Sequence, residues 1–354
     1  MKNRNWHHYL SIFGFFSTLM TCAAIAQTGP ASTIAGQSLP APKPKRITVS
    51  LLGPRPLGGN ATGQEAVNNM IKHWTEELQW ILPDHPDLIV VPEACDSIPA
   101  NTQAERQNYY DIRGNQVRDF FCAVARKNHC YIAYSAMRKM DDGTYRNSTQ
   151  LIDRKGEIVG IYNKNHPVPW ETTECGVLCG REAPIFQTDF GTVALAICFD
   201  LNFEELLKKY AAQRPHLIIF SSMYHGGLMQ SYWAYYCRSY LVGAVAGDEC
   251  TVVNPLGEKV AHSTNYYHHI TATINLDCKV VHLDENWGKI QAAKTKYGKG
   301  ITVFDPGHVG AILLTSEMPD KTIDDIIREF KIETWDEYYA RSMKHRHTPG
   351  NMEK

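Results

Sequence analysis

Short apolar runs recur along this chain, each closing on polar residues, and stretches of helical periodicity lie between them. Val193 to Ile197 is such a run, with β-branched residues and a cysteine directly after it, as a strand buried on both faces should read. The acidic, amphipathic FEELLKKYAAQ follows as a helix, with Asp200 or Asn202 available as its N-cap. Earlier in the chain ITVSLLG, after Arg46, predicts a strand, and PRPLGGNATG a loop at its end. Val67, Met70, Ile71, Trp74, Leu78 and Ile81 predict an amphipathic helix over Gln64 to Leu82. DLIVV, Asp87 to Val91, is another buried strand, and it runs into Pro92-Glu93.

The same grammar continues. Asn115 to Lys127 reads as a helix, Cys130 to Met137 as a strand, Asp141-Asp142-Gly143 as a turn, and Tyr145 to Asp153 as the returning hairpin strand. Ile158 to Tyr162 is the next strand before Lys164. Beyond Gln213 come strand HLIIFSS (His216 to Ser222), a helix over Ser231 to Val242, strand Cys250 to Asn254, turn Pro255-Leu256-Gly257 and strand His269 to Leu276. Alternating strands and helices with hairpins predict α/β layers around mixed sheets. Asp320 to Phe330 and Thr334 to Met343 predict two C-terminal helices.

Domain limits follow from breaks in this pattern. Residues 1 to 26 read as a secretory signal: Lys2 and Arg4, an apolar stretch from Leu10 to Met20, and the small-x-small site Ala24-Ile25-Ala26. The apolar stretch is too short to span a bilayer comfortably, so the expected locations are secreted or periplasmic. Lipidation at Cys22, within LMTC, is the alternative. Residues 27 to 45, rich in Pro, Ala, Ser and Gly, read as a flexible linker. Residues 46 to 305 form the expected domain, and 306 to 354 a helical extension with a polar tail from His345.

Composition narrows the partners. With 44% hydrophobic and 21% charged residues and a net charge of -1, the chain is ordinary for a soluble globular protein. No basic stripe with interleaved aromatics suggests nucleic acid. Ten cysteines in an exported chain invite disulfides, and Cys175 and Cys179 are close enough to bridge a small loop. His7-His8 and His268-His269 lack a third ligand at metal spacing, so no metal is expected. Asn60-Ala61-Thr62 and Asn147-Ser148-Thr149 are glycosylation sequons, relevant only in a eukaryotic secretory pathway.

Candidate chemistry sits at three strand ends. Cys198 occupies a strand-to-helix junction, where a sharp turn exposes sulfur and backbone N–H groups stabilise a thiolate. Glu93 in VVPEAC and Lys164 in GIYNKNHPVPW end two other strands, and strand ends on one side of α/β sheets converge on a crevice. Trp170 and Glu174 after the lysine, Phe199 beside the cysteine, and Tyr224 and His225 after HLIIFSS are candidate substrate contacts.

These three motifs, in this order, resemble those of the carbon-nitrogen hydrolase, or nitrilase, superfamily over roughly Arg46 to Leu276. The resemblance implies a four-layer αββα sandwich, no cofactor, and association into homo-oligomers, dimers or larger, through the outer helices. It also implies Glu93 as general base, Lys164 as the family's lysine and Cys198 as nucleophile. A second family glutamate after the lysine matches Glu171, with Glu174 as the alternative in PWETTECG. Trp233 and Arg238 match a helix that approaches the site and the subunit interface. Asn202 in NFEEL stands where relatives carry arginine. The implied substrate is a small linear amide or N-carbamoyl compound. Phe199-Asp200 after the cysteine points away from nitriles; a pantetheine-like amide hydrolase, a nitrilase or a silent binding protein on this scaffold are the competing readings.

Overall fold

The computed structural model describes residues 46–353. The expected signal, linker and Cys22 lie outside the described residues. The first half builds β1 (Arg46–Leu52), α1 (Gly63–Leu78), β2 (Leu88–Val90), α2 (Gln103–Arg113), α3 (Gln116–Asn128), β3 (Tyr131–Lys139), β4 (Tyr145–Ile152) and β5 (Ile158–Asn163). A five-residue helix α4 (Pro169–Thr173) leads to β6 (Ile185–Gln187), β7 (Thr192–Ile197), α5 (Glu204–Gln213), β8 (Leu217–Ser222), α6 (Leu228–Cys237), β9 (Tyr240–Val245), β10 (Thr251–Val253) and β11 (Lys259–His262). Strand β12 (His269–Asn275) then returns to pair antiparallel with β1, from Arg46 opposite Asn275 to Leu52 opposite His269.

Two six-stranded sheets result, ordered β12-β1-β2-β3-β4-β5 and β11-β10-β9-β8-β7-β6. Their central strands are parallel and their flanks antiparallel. Alternation along DLIVV explains the layering. Leu88 and Val90 pack into the core shared with Val193, Leu195 and Leu217 of the other sheet, whereas Ile89 and Val91 pack on Val67, Trp74 and Phe121 of α1 and α3. Helices α5 and α6 cover the second sheet through Leu207, Tyr210, Trp233 and Ala234. The architecture is the αββα sandwich, an α/β fold.

Several elements depart from the sequence reading. The helix expected over Ser231–Val242 ends at Cys237, because Arg238 takes a left-handed φ of 57° and the chain re-enters the sheet as β9, buried at every position. A continuous apolar run such as YLVGAV carries no periodicity that separates strand from helix. Neither Asp200 nor Asn202 caps α5; Phe203 occupies that position without a side-chain cap. The boundary expected at 305 falls inside a hairpin. β13 (Cys278–His282), α7 (Trp287–Tyr297), β14 (Ile301–Phe304) and β15 (Ala311–Ser316) make a three-stranded sheet, closed by α8 (Ile323–Phe330) and α9 (Trp335–Arg346). Residues 306–310 are therefore the loop of that hairpin and Ala311–Ser316 its returning strand, rather than part of a helical extension. No helix among the described residues is long and apolar enough to cross a membrane.

Candidate active site

Cys198 stands where β7 ends and a 3-10 turn, Cys198–Asn202, begins. Its φ of 49° is left-handed, a conformation that costs a non-glycine residue about 1–2 kcal/mol and persists only where the surroundings impose it. Asp200 supplies that constraint. Fully buried, it accepts hydrogen bonds from the Ile197 N–H at 3.0 Å, the Tyr162 hydroxyl at 2.7 Å and the His166 N–H at 2.9 Å. One carboxylate thus ties the cysteine turn to the segment that carries Lys164. Asp200 shapes the cysteine turn and leaves the following helix uncapped.

Lys164, Glu93 and Glu171 meet at the ends of the first sheet's strands. The Lys164 ammonium donates to Glu93 Oε1 at 2.8 Å and to Glu171 Oε2 at 2.6 Å, and all three side chains are buried. Glu171 is fixed from behind by the Val168 N–H at 2.8 Å, in the first turn of α4. The Lys164 backbone is pinned by its own N–H to Asn147 O and by the Gly180 N–H to Lys164 O. A Cβ at Gly180 would lie 2.2 Å from the Asn163 carbonyl oxygen, so only glycine permits this closure. Burial works against the Lys164 charge, but Glu93, Cys198 and Glu171 outweigh it and hold the ammonium above its ordinary value.

The sequence reading missed Asn147. Its amide Nδ2 donates to Glu93 at 2.7 Å and to Glu171 at 2.9 Å, so it bridges the two carboxylates. Read as a glycosylation sequon, Asn147 is in fact 2% exposed on β4, where the folded protein has no room for a glycan. A signal existed: Asn147 to Gln150 are four successive polar positions in a strand, and all are buried. Glu93 is also held by the Met223 N–H at 3.2 Å, from the second sheet. Glu93 and that N–H act on the Cys198 sulfur as well. Burial, reinforced by Glu93 and opposed by Lys164, pushes the thiol up to about 12, so it rests protonated.

A cavity of about 360 Å³ opens over this group, with Glu93, Asn147, Lys164, Glu171 and Cys198 on its wall and Trp170 and Met223 beside them. Of the candidate substrate contacts, Trp170 lines it. The others do not. Glu174 is exposed one turn beyond Glu171, past the end of α4, and does not pair with the lysine. The Phe199 ring packs edge-on against Phe203. Tyr224 receives a hydrogen bond from Asn202 at 3.1 Å, and His225 pairs with Glu249 at 3.1 Å. Trp233 is buried with its Nε1 on Leu201 O, while Arg238 lies over Tyr235 and Trp335. Cys175, in the cavity wall, and exposed Cys179 are unbridged thiols. Among the described residues no group of three ligating side chains is placed to hold a metal.

Comparison with known proteins matches residues 61–276 to the family described as carbon-nitrogen hydrolase. A curated relative named hydrolase in agr operon, from Staphylococcus lugdunensis, is 26% identical over 211 residues, covering 54% of this chain and 88% of its own. The 2-oxoglutaramate amidase of Bacillus subtilis strain 168 is 22% identical over 186 residues, covering 51% of this chain and 69% of its own. Among solved structures, a mutant of an amidase from Nesterenkonia sp. AN1 carries the acetamide moiety of fluoroacetamide on its active-site cysteine. It superposes with a TM-score of 0.55 at 15% identity, covering 68% of this chain and 94% of that one.

Proposed function

The chain belongs to the carbon-nitrogen hydrolase family, and from its site we propose that it hydrolyses a linear amide or N-carbamoyl group through a thioester on Cys198. One observation carries this reading: the Lys164 ammonium is gripped between two carboxylates on the wall that Cys198 shares. A protonated thiol needs a base at the moment of attack. Glu93 takes the thiol proton as sulfur bonds to the carbonyl carbon, then gives it to the departing nitrogen as the C–N bond breaks. An ammonium has three donors, and Glu93 and Glu171 take two. The third, with the Phe199 N–H at the start of its turn, would meet the oxyanion, a stabilisation worth roughly 3 kcal/mol per donor. Water, oriented by Glu171, then attacks the thioester and gives a proton to Glu93; the C–S bond breaks, the acid leaves and the Cys198 sulfur takes that proton back. The amidases among the relatives and solved structures support the amide over the nitrile reading.

Intact mass spectrometry after rapid quenching with an amide substrate tests this directly. An acyl adduct on Cys198, absent from Cys198→Ala, is the expected result; an adduct confined to Cys95 or Cys175 would sink the assignment. Two further parts of the reading rest on other features. The basic start, apolar stretch and Ala24-Ile25-Ala26 support export with a mature chain from Gln27, which N-terminal sequencing from the native host checks. Exposed Leu228, Tyr232 and Tyr236 on α6 support self-association, and light scattering at micromolar concentration checks that.

A further inference from the structure

We propose that Arg106 binds an anionic group at the far end of the substrate, so that the preferred amides are those carrying a distal carboxylate. This rests on the amide-hydrolase reading above. Arg106 projects from α2 into the wall of the same 360 Å³ cavity as Cys198. Its guanidinium donates to the Cys175 sulfur at 3.4 Å and lies 5.2 Å from the centroid of the Trp170 ring. Among the described residues it forms no ion pair, and it has no other side-chain hydrogen-bond partner.

Arg138 and Arg146 are also half-buried without an ion pair among the described residues, but Arg106 is the arginine that lines this cavity. Arg113, on the same helix, is neutralised by buried Asp96 at 2.9 Å, and Arg154 by Asp87 and Asp189, both at 2.7 Å. A guanidinium has five N–H donors in a planar fork suited to carboxylate, and here four of them face no protein acceptor. Stacked on Trp170 and anchored by the Cys175 sulfur, the fork is pre-oriented, which lowers the ordering cost of binding.

The distribution of charge gives the cavity a direction. Around the nucleophile two carboxylates face one ammonium, an excess of one negative charge that repels anions and suits an amide nitrogen's N–H donors. Arg106 brings to the same cavity, beside Cys175 and Trp170, a positive charge that forms no ion pair among the described residues. An amide with a carboxylate at its opposite end satisfies both; a neutral amide leaves the guanidinium desolvated and unpaired.

The test compares the monoamide of pentanedioic acid with pentanediamide, in which a neutral amide replaces the distal carboxylate at nearly the same shape. Wild type should favour the monoamide. Arg106→Gln should lower the monoamide-to-diamide ratio of kcat/KM by roughly 10- to 100-fold, through KM, and Arg106→Lys should restore part of it. An unchanged ratio, with both substrates slowed together, marks Arg106 as purely structural and overturns the proposal, as does a wild-type preference for the diamide. A binding measurement separates this from the amidase reading. The monoamide should bind Cys198→Ser and bind at least 10-fold more weakly to Cys198→Ser with Arg106→Gln, whether or not it is turned over. Equal binding to both variants overturns the anion site while leaving the hydrolase reading standing.

Discussion

Two buried ionic clusters lie on either side of the loop that follows β2, and they differ in stoichiometry. Asp96 and Arg113 form a one-to-one pair: the carboxylate takes the guanidinium at 2.9 and 3.0 Å and the Tyr134 hydroxyl, while Arg113 also donates to Met137 O at 2.7 Å. Tyr109 completes the shell through its bond to Asp96 O at 2.8 Å. Four of the five guanidinium N–H groups are used, Nε on Gly114 O at 3.3 Å among them, and the charges of the cluster balance. Three residues earlier, Glu93 shares one ammonium with Glu171, and the amide of Asn147 must help to hold the two carboxylates together. The Asn147 Oδ1 is buried with no partner among the described residues, and a donor of Lys164 is left over. A balanced pair can only hold the loop in place. An unbalanced one, open to a cavity, is equipped to move a proton.

The largest effect should come from breaking the unbalanced cluster. Glu93→Gln should slow thioester formation by roughly 10²- to 10⁴-fold. Its stability should change little, because Lys164 keeps Glu171 and the excess negative charge is relieved. Glu171→Gln should instead slow thioester hydrolysis, so that the acylated enzyme accumulates in single-turnover experiments. If Glu174→Gln accumulates it and Glu171→Gln behaves as wild type, the wrong glutamate has been assigned to water.

Breaking the balanced pair should act on folding. Asp96→Asn leaves Arg113 buried without its counter-charge and should lower stability by about 3–5 kcal/mol in urea unfolding. Protein that remains folded should keep the wild-type pH profile for acylation. A Glu93→Gln variant less stable than Asp96→Asn would abolish the distinction between the clusters.

A smaller effect concerns the thiol. Since burial and Glu93 raise Cys198 from 9.0 to about 12, the neutral form persists below that range and thiolate appears only as pH approaches it. Ultraviolet difference spectra between wild type and Cys198→Ser should therefore show no thiolate at neutral pH. The sign for stability is the same. The contribution is full below 9.0, where both folded and unfolded thiols are protonated, and is lost as pH rises toward about 12. A neutral-pH thiolate band would mean a preformed ion pair with Lys164.

The smallest effect tests how firmly the unbalanced cluster is enclosed. Expressed through a eukaryotic secretory pathway, the folded protein should carry glycan at Asn60, in its exposed loop, and none at Asn147. Mass spectrometry of the two peptides decides it. Glycan at Asn147 in folded protein would place that residue at the surface.

What the sequence alone determined was whatever depends on neighbours along the chain. Strands buried on both faces read as continuous apolar runs, helices as 3.6-residue stripes, and the three reactive residues stood at strand ends because polar groups are tolerated where a buried strand surfaces. Tertiary structure decided which side chains meet. Asn147 enters the site because β4 lies between β3 and β5, a pairing fixed by register and not by the residues around it. Glu171 rather than Glu174 reaches Lys164 because α4 stops after Thr173, so the second glutamate is turned to solvent. Arg106 lies on α2, a helix that the hydrophobic pattern did not reveal. Only packing of α2 beside Cys175 and Trp170 gives its charge a cavity to face, since whether a charge is satisfied depends on contacts made far along the chain.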